Sequence, residues 1–152
     1  MGGNSVFLLA AMREALRSVM LGRMRPGPGA GSLRILIVDD SRHFLNAACA
    51  ALEQDGITVV GVASTSAEAI QLAGELRPDG ILVDVDLGDE SGLDLALELA
   101  SVEYAPVVLI SAYPESELAD LIAASPAVGF VSKSDLSASA VSSLIAAKRD
   151  PG

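Results

Sequence analysis

Four apolar runs of strand length each end on a chemically active residue, and that punctuation limits the fold more than any other feature of the chain. Ile35-Leu36-Ile37-Val38 runs into Asp39-Asp40, and Ile81-Leu82-Val83 into Asp84. Val107-Val108-Leu109-Ile110 runs into Ser111, and a short run containing Phe130 ends at Lys133. Unbroken apolar runs belong to parallel strands buried on both faces, whereas a half-exposed antiparallel strand alternates. Open α/β sheets bind ligands beyond the carboxyl ends of their strands, so groups scattered over about a hundred positions are expected in one pocket.

Segments of helical period separate these runs, which is the pattern of a parallel sheet covered by helices. Strands are predicted at 34–38, 57–63, 80–84, 107–111 and 129–132. The first helix is expected over 41–54, stopped by Asp55-Gly56. The second opens on a capping box, Thr65 with Glu68, and ends before Pro78. The third spans 93–101 and is expected to bury Leu93 and Leu97. The fourth carries Pro114 in its first turn with Glu115 and Glu117 at its positive end. The fifth runs over 135–148. Five βα units give an α/β fold, a doubly wound five-stranded parallel sheet.

The chain has 152 residues and a net charge of −10, which suits one main domain and argues against direct nucleic-acid binding. The charge is uneven. Arg13, Arg17, Arg23 and Arg25 against Glu14 give residues 1–31 a charge of +3, leaving −13 for the rest. Residues 23–31 read as a Pro/Gly linker, so 1–31 is expected to be an extension and 32–152 the folded domain. The apolar run from Val6 to Met12 is too short to span a membrane, and its arginines follow rather than precede it, unlike a secretory signal. Cys49 stands alone in an apolar helical stretch, so a core role and a reducing, cytoplasmic setting are expected.

Asp39 and Asp40 leave the first strand together, and a helix cap explains only one of them. Asp84 ends an apolar strand, where an unpartnered carboxylate is costly. Carboxylates about 4 Å apart repel by about 4 kcal/mol per pair at an effective dielectric near 20, so three together call for a divalent cation. Oxygen-only ligands select magnesium or a similar hard ion. Magnesium and Lys133 together balance the three carboxylates.

These blocks, with Pro78-Asp79 before the third strand and Gly92 after it, resemble in order and spacing a receiver domain of two-component response regulators over about residues 33–148. The resemblance implies the flavodoxin-like receiver topology, strand order 2-1-3-4-5, and a signalling switch rather than an enzyme. It implies that Asp84 accepts a phosphoryl group from a histidine kinase or phosphotransfer protein. Asp39, Asp40, Asp84 and the backbone carbonyl of Asp86 would hold Mg2+, while Ser111 and Lys133 would contact the phosphoryl oxygens. Small Ala112 would leave the group room. Ser111 and Phe130 would form the switch, read out on the fourth helix and fifth strand by a downstream protein, with a switch-dependent dimer compatible with this scheme. No DNA-binding output segment is visible in the sequence.

Gly88 and Ser134 replace prolines usual in the family, which leaves the Lys133-Ser134 bond free to be trans. By the same resemblance, Asp86 and Tyr113 would flank the site at positions that vary in the family and govern phosphoryl lifetime there. His43 is expected to face solvent, and Asp89-Glu90 to be solvated charges. Two rival functions fit the residues less well: a haloacid-dehalogenase-like phosphohydrolase, disfavoured because Gly88 stands where its threonine would be, and a receiver fold that binds partners without taking phosphate, disfavoured by the retained Asp39, Asp40, Asp84, Ser111 and Lys133.

Overall fold

The computed structural model describes residues 32–102 and 104–149; the expected extension and linker at 1–31 lies outside the described residues. The elements in chain order are β1 (Arg34–Val38), α1 (Arg42–Gln54), β2 (Thr58–Ala63), α2 (Ser66–Leu76) and β3 (Gly80–Asp84). A two-residue antiparallel ladder, Asp86–Leu87 with Glu90–Ser91, follows. Then come α3 (Gly92–Ser101), β4 (Val107–Ser111), α4 (Glu115–Ala124), β5 (Gly129–Ser132), a 3-10 turn at Lys133–Asp135 and α5 (Ala138–Arg149). The five long strands form one parallel sheet in the order β2-β1-β3-β4-β5, the doubly wound topology.

Side chains alternate across each strand, and the sheet therefore has two cores. Ile35, Ile37, Leu82, Val108, Ile110 and Val131 pack with Leu45, Ala48 and Leu52 of α1 and Val141 and Ile145 of α5. Leu36, Val38, Ile81, Val83, Val107 and Leu109 pack with α2 and α3 on the other face. Asp39 and Asp84 continue the parity of Ile35, Ile37 and Leu82, the α1/α5 face. Ser111 and Phe130 continue the parity of Leu109 and belong to the α2/α3 face. Alternation alone thus divides the charged groups from the pair expected to switch.

Local chemistry fixes the helix ends. Ser41, Thr65 and Ser91 each accept an N–H three residues on, from Phe44, Glu68 and Asp94, the usual capping bond. Glu68 returns its carboxylate to the N–H and hydroxyl of Ser64, one residue earlier than the simple box predicts. Gly56 turns out of α1 at φ +98°. Arg77 ends α2 in the left-handed region at φ 48°. The Arg34 guanidinium binds the Leu76 and Arg77 carbonyls at 2.7 and 2.8 Å, capping that end from across the sheet.

Some boundaries differ from expectation. α5 begins at Ala138 rather than near 135, because Lys133–Asp135 closes its own 3-10 turn and the Ser137 hydroxyl then accepts from Ala140 N. Pro114 is the residue before α4 rather than inside it, with ψ 149°. In α3 the inward residues are Leu95, Ala96 and Leu99, while Leu97 is 56% exposed. Glu90 is no free surface charge, since its carboxylate accepts from Ser66 N at 2.9 Å, at the start of α2. Among the described residues no helix is long and apolar enough to cross a membrane.

Candidate functional site

Parallel register brings the carboxyl ends of β1, β3, β4 and β5 to one edge of the sheet. Val38 pairs with Val83, Asp84 with Ile110, and Ser111 with Ser132. Asp39, Asp84 and Ser111 are the buried polar residues there. Carboxylate oxygens of Asp39, Asp40 and Asp84 all lie within 4.8 Å of one another, with Asp40 on the exposed side. Lys133, sent back over the edge by the 3-10 turn, places Nζ 2.6 Å from Asp39 Oδ2 and 3.1 Å from Asp84 Oδ2.

The backbone shapes this cluster. Asp39 Oδ1 accepts from Ser41 N at 2.8 Å, and Asp84 Oδ1 from Asp86 N at 3.2 Å. The Asp86 side chain turns outward and accepts from Gly88 N, where φ is +75°. That left-handed turn suits glycine, and a Cβ there would come within 3.0 Å of Asp40 Oδ2. Gly92 is held tighter still. Its N–H donates to Val85 O, and any Cβ would drive into the carbonyl of Asp84 itself.

The electrostatics follow from burial. Desolvation pushes the Asp84 carboxyl up to about 6, and the Asp39 charge adds to this, while the Asp86 N–H and Lys133 pull the other way. For Lys133 burial works downward, but its contacts with Asp39 and Asp84 outweigh it and hold the ammonium above its ordinary range. The donor set of three carboxylates and one ammonium carries −2 when ionised, the complement of a divalent cation. Asp39 Oδ2 is buried and receives no directed hydrogen bond. An all-oxygen cluster of this charge fits a hard ion such as Mg2+.

The remaining expected residues are placed as follows. Ser111 Oγ, 1% exposed as a residue, accepts from Tyr113 N at 3.0 Å. Phe130 is half-buried opposite Leu109 and lines an open groove of about 620 Å³ with Glu115, Ser134, Asp135 and Leu144. His43 is exposed. The described peptide bonds are all trans, including Lys133-Ser134. Ser132 and Ser134 hydroxyls pair at 2.9 Å. Cys49 is partly buried against the α1/α5 core, which pushes its thiol up to about 11. One neighbour went unnoticed in the sequence: the Phe44 ring, whose centroid lies 4.3 Å from Lys133 Nζ. Its sequence signal is spacing, an aromatic three residues after the cap of the helix that follows the acidic pair.

A buried strand-end carboxylate between an acidic pair and a lysine, on a doubly wound sheet, defines a class, and comparison with known proteins gives its name. A family model described as the response regulator receiver domain matches residues 35–142. The chain belongs to that family, the receiver domains of two-component response regulators. It is 31% identical over 101 residues to the transcriptional regulatory protein PdtaR of Mycobacterium tuberculosis, covering 66% of this chain and 49% of that protein. The chain thus spans about half the length of that relative. Among solved structures, the receiver domain of the putative response regulator NarL from M. tuberculosis superposes with TM-score 0.68 at 27% identity, covering 76% of this chain and 98% of that one. A response regulator from Burkholderia pseudomallei, solved with a phosphorylated aspartic acid, a calcium ion and citrate, gives TM-score 0.64 at 25% identity, covering 75% and 66%.

Proposed function

We infer that the chain is a phosphorylation-dependent switch with Asp84 as phosphoacceptor. The observation that carries this is the clustering of Asp39, Asp40 and Asp84 within 4.8 Å, with Lys133 bridging two of them. A carboxylate alone is a poor nucleophile toward a phosphoryl group because both are anionic, and positioning with charge neutralisation supplies the rate. Asp39, Asp40, Asp84 and the Asp86 carbonyl would hold Mg2+, which neutralises phosphoryl oxygens when bound.

An Asp84 carboxylate oxygen forms the new O–P bond while the P–N bond of a phosphohistidine donor breaks, and the imidazole leaves to regain a proton from water. Lys133 meets a second phosphoryl oxygen. Ser111 gives up its present bond from Tyr113 N and donates its hydroxyl hydrogen to a third. That movement empties space on the α2/α3 face of the sheet, which Phe130 shares, and the face of α4 and β5 changes with it. The donor is a histidine kinase or phosphotransfer protein and the reader another protein, in the cytoplasm. The phosphorylated aspartate and bound divalent ion of the Burkholderia relative support the chemistry.

Incubation with acetyl phosphate and Mg2+ tests the reading. One base-labile phosphoryl group per chain is expected, absent in the isosteric Asp84→Asn. Multiple turnover would point to a phosphohydrolase, and no incorporation to a binding module.

A further inference from the structure

The lysine of the site is held by more than carboxylates. Its ammonium has three hydrogen-bond donors and no acceptor; Asp39 and Asp84 flank it, and the Phe44 ring closes a third side with its centroid 4.3 Å from Nζ. A cation within about 6 Å of an aromatic face is attracted to the ring quadrupole, more strongly where water is excluded. Phe44 is itself half-buried and packs against the α1/α5 core.

The contact belongs to a closed circuit. Asp39 Oδ1 fixes Ser41 N, and Ser41 Oγ fixes Phe44 N at 3.2 Å. The Phe44 ring meets Lys133, and Lys133 returns to Asp39 Oδ2 at 2.6 Å. The turn that orients the acidic pair therefore also aims the ring. Of the two carboxylates only Asp84 Oδ2 accepts a directed hydrogen bond from this ammonium, at 3.1 Å, while Asp39 meets it as an ion pair, so the ring face is a third contact beside one hydrogen bond and one ion pair.

We propose that Phe44 is a positioning residue that holds the Lys133 ammonium by its ring face, so that Lys133 can turn from the carboxylates to an incoming phosphoryl oxygen without leaving the site. A ring face suits this task because its attraction is weakly directional and occupies no carboxylate oxygen. The role rests on the phosphoacceptor reading of Asp84; the contact itself does not.

Two measurements separate these. The chain has two lysines, Lys133 and Lys148, and Lys148 is exposed, so in metal-free, lysine-labelled protein it serves as an internal reference. Ring current should move the Lys133 ε-methylene protons upfield of those of Lys148, and Phe44→Leu should abolish the offset. Affinity for beryllofluoride with Mg2+ should fall about fivefold in Phe44→Leu and be restored in Phe44→Tyr. Pentafluorophenylalanine at position 44 keeps the shape and reverses the quadrupole, and should bind as weakly as the leucine variant. Coincident lysine signals in the wild type, or undiminished affinity in the leucine or pentafluoro variants, would overturn the proposal. If the wild type binds no beryllofluoride, the phosphoacceptor reading and the positioning role both fall, while the methylene offset still reports the contact.

Discussion

The two sides of the site are built differently. On the α1/α3 side, α1 buries Leu45, Ala48 and Leu52, and α3 buries Gly92, Leu95, Ala96 and Leu99. Both helices start on a serine cap. On the α4/β5 side, α4 buries no residue fully and lacks a side-chain cap, leaving Tyr113 and Leu121 exposed. In β5 only Val131 is buried. Stability in a fold is local, and elements with few buried contacts open first. The contrast matches the proposed division of labour: the carboxylates that would hold the metal and the phosphoryl group sit on the anchored side, while Lys133, which follows β5, and the readout sit on the lightly held one.

The sharpest way to break the comparison is to disturb the anchored side where it cannot yield. In Gly92→Ala the new methyl meets the Asp84 carbonyl, backbone against which no rotamer can relax. Unfolding free energy measured in urea should fall by about 3 kcal/mol. A loss under about 1 kcal/mol would show that the loop after β3 is as compliant as α4.

A comparable effect is expected from pH. The Asp84 carboxyl is raised from 3.8 to about 6, burial being the main cause. The folded state then holds this proton more tightly than the unfolded chain, so the group's contribution to stability is best below about pH 4. It worsens as pH rises to 6, and above that the cost is complete, at most about 3 kcal/mol. In metal-free buffer Asp84→Asn should therefore exceed the wild type in stability above pH 6, with the gap closing toward pH 4. Parallel stability profiles for the two proteins would remove the burial argument, and saturating Mg2+ should reduce or reverse the gap by binding the ionised wild type.

Asp40 gives a smaller effect because it is the exposed member of the trio. Asp40→Ala should weaken Mg2+ binding about tenfold, or about 1.4 kcal/mol, in a calorimetric titration. Unchanged affinity would place the ion elsewhere.

The contrast between the sides was only half legible in the sequence. β1, β3 and β4 coincide with their apolar runs, because a strand buried on both faces has no polar residue until its end. The clustering of Asp39, Asp84, Lys133 and Ser111 at one edge follows from those ends. α3 resisted reading for a physical reason: Leu93, Leu95, Leu97 and Leu99 recur every second residue, a strand period on a helix, and nothing local says which leucines turn inward. Glu90 and Phe44 were missed because their contacts, to Ser66 and Lys133, lie 24 and 89 residues away in the chain. The weak anchoring of α4 was also hidden, since Leu118, Leu121 and Ile122 look like a core stripe until the other elements are in place.

The smallest effect should appear on the lightly held side. Leu121 is 49% exposed, so Leu121→Ala should change global stability by no more than about 0.5 kcal/mol. Its amide neighbours report more than its stability does. If α4 opens without the rest of the domain, its amides should exchange with solvent about tenfold or more faster than those of α3 under native conditions, and Leu121→Ala should quicken α4 alone. Beryllofluoride with Mg2+ should then alter α4 exchange while leaving α3 nearly unchanged, because the proposed switch acts through Ser111 and Phe130, on the two strands that α4 connects. Equal protection of α3 and α4, in the presence or absence of the mimic, would dissolve the distinction between an anchored catalytic side and a yielding readout side.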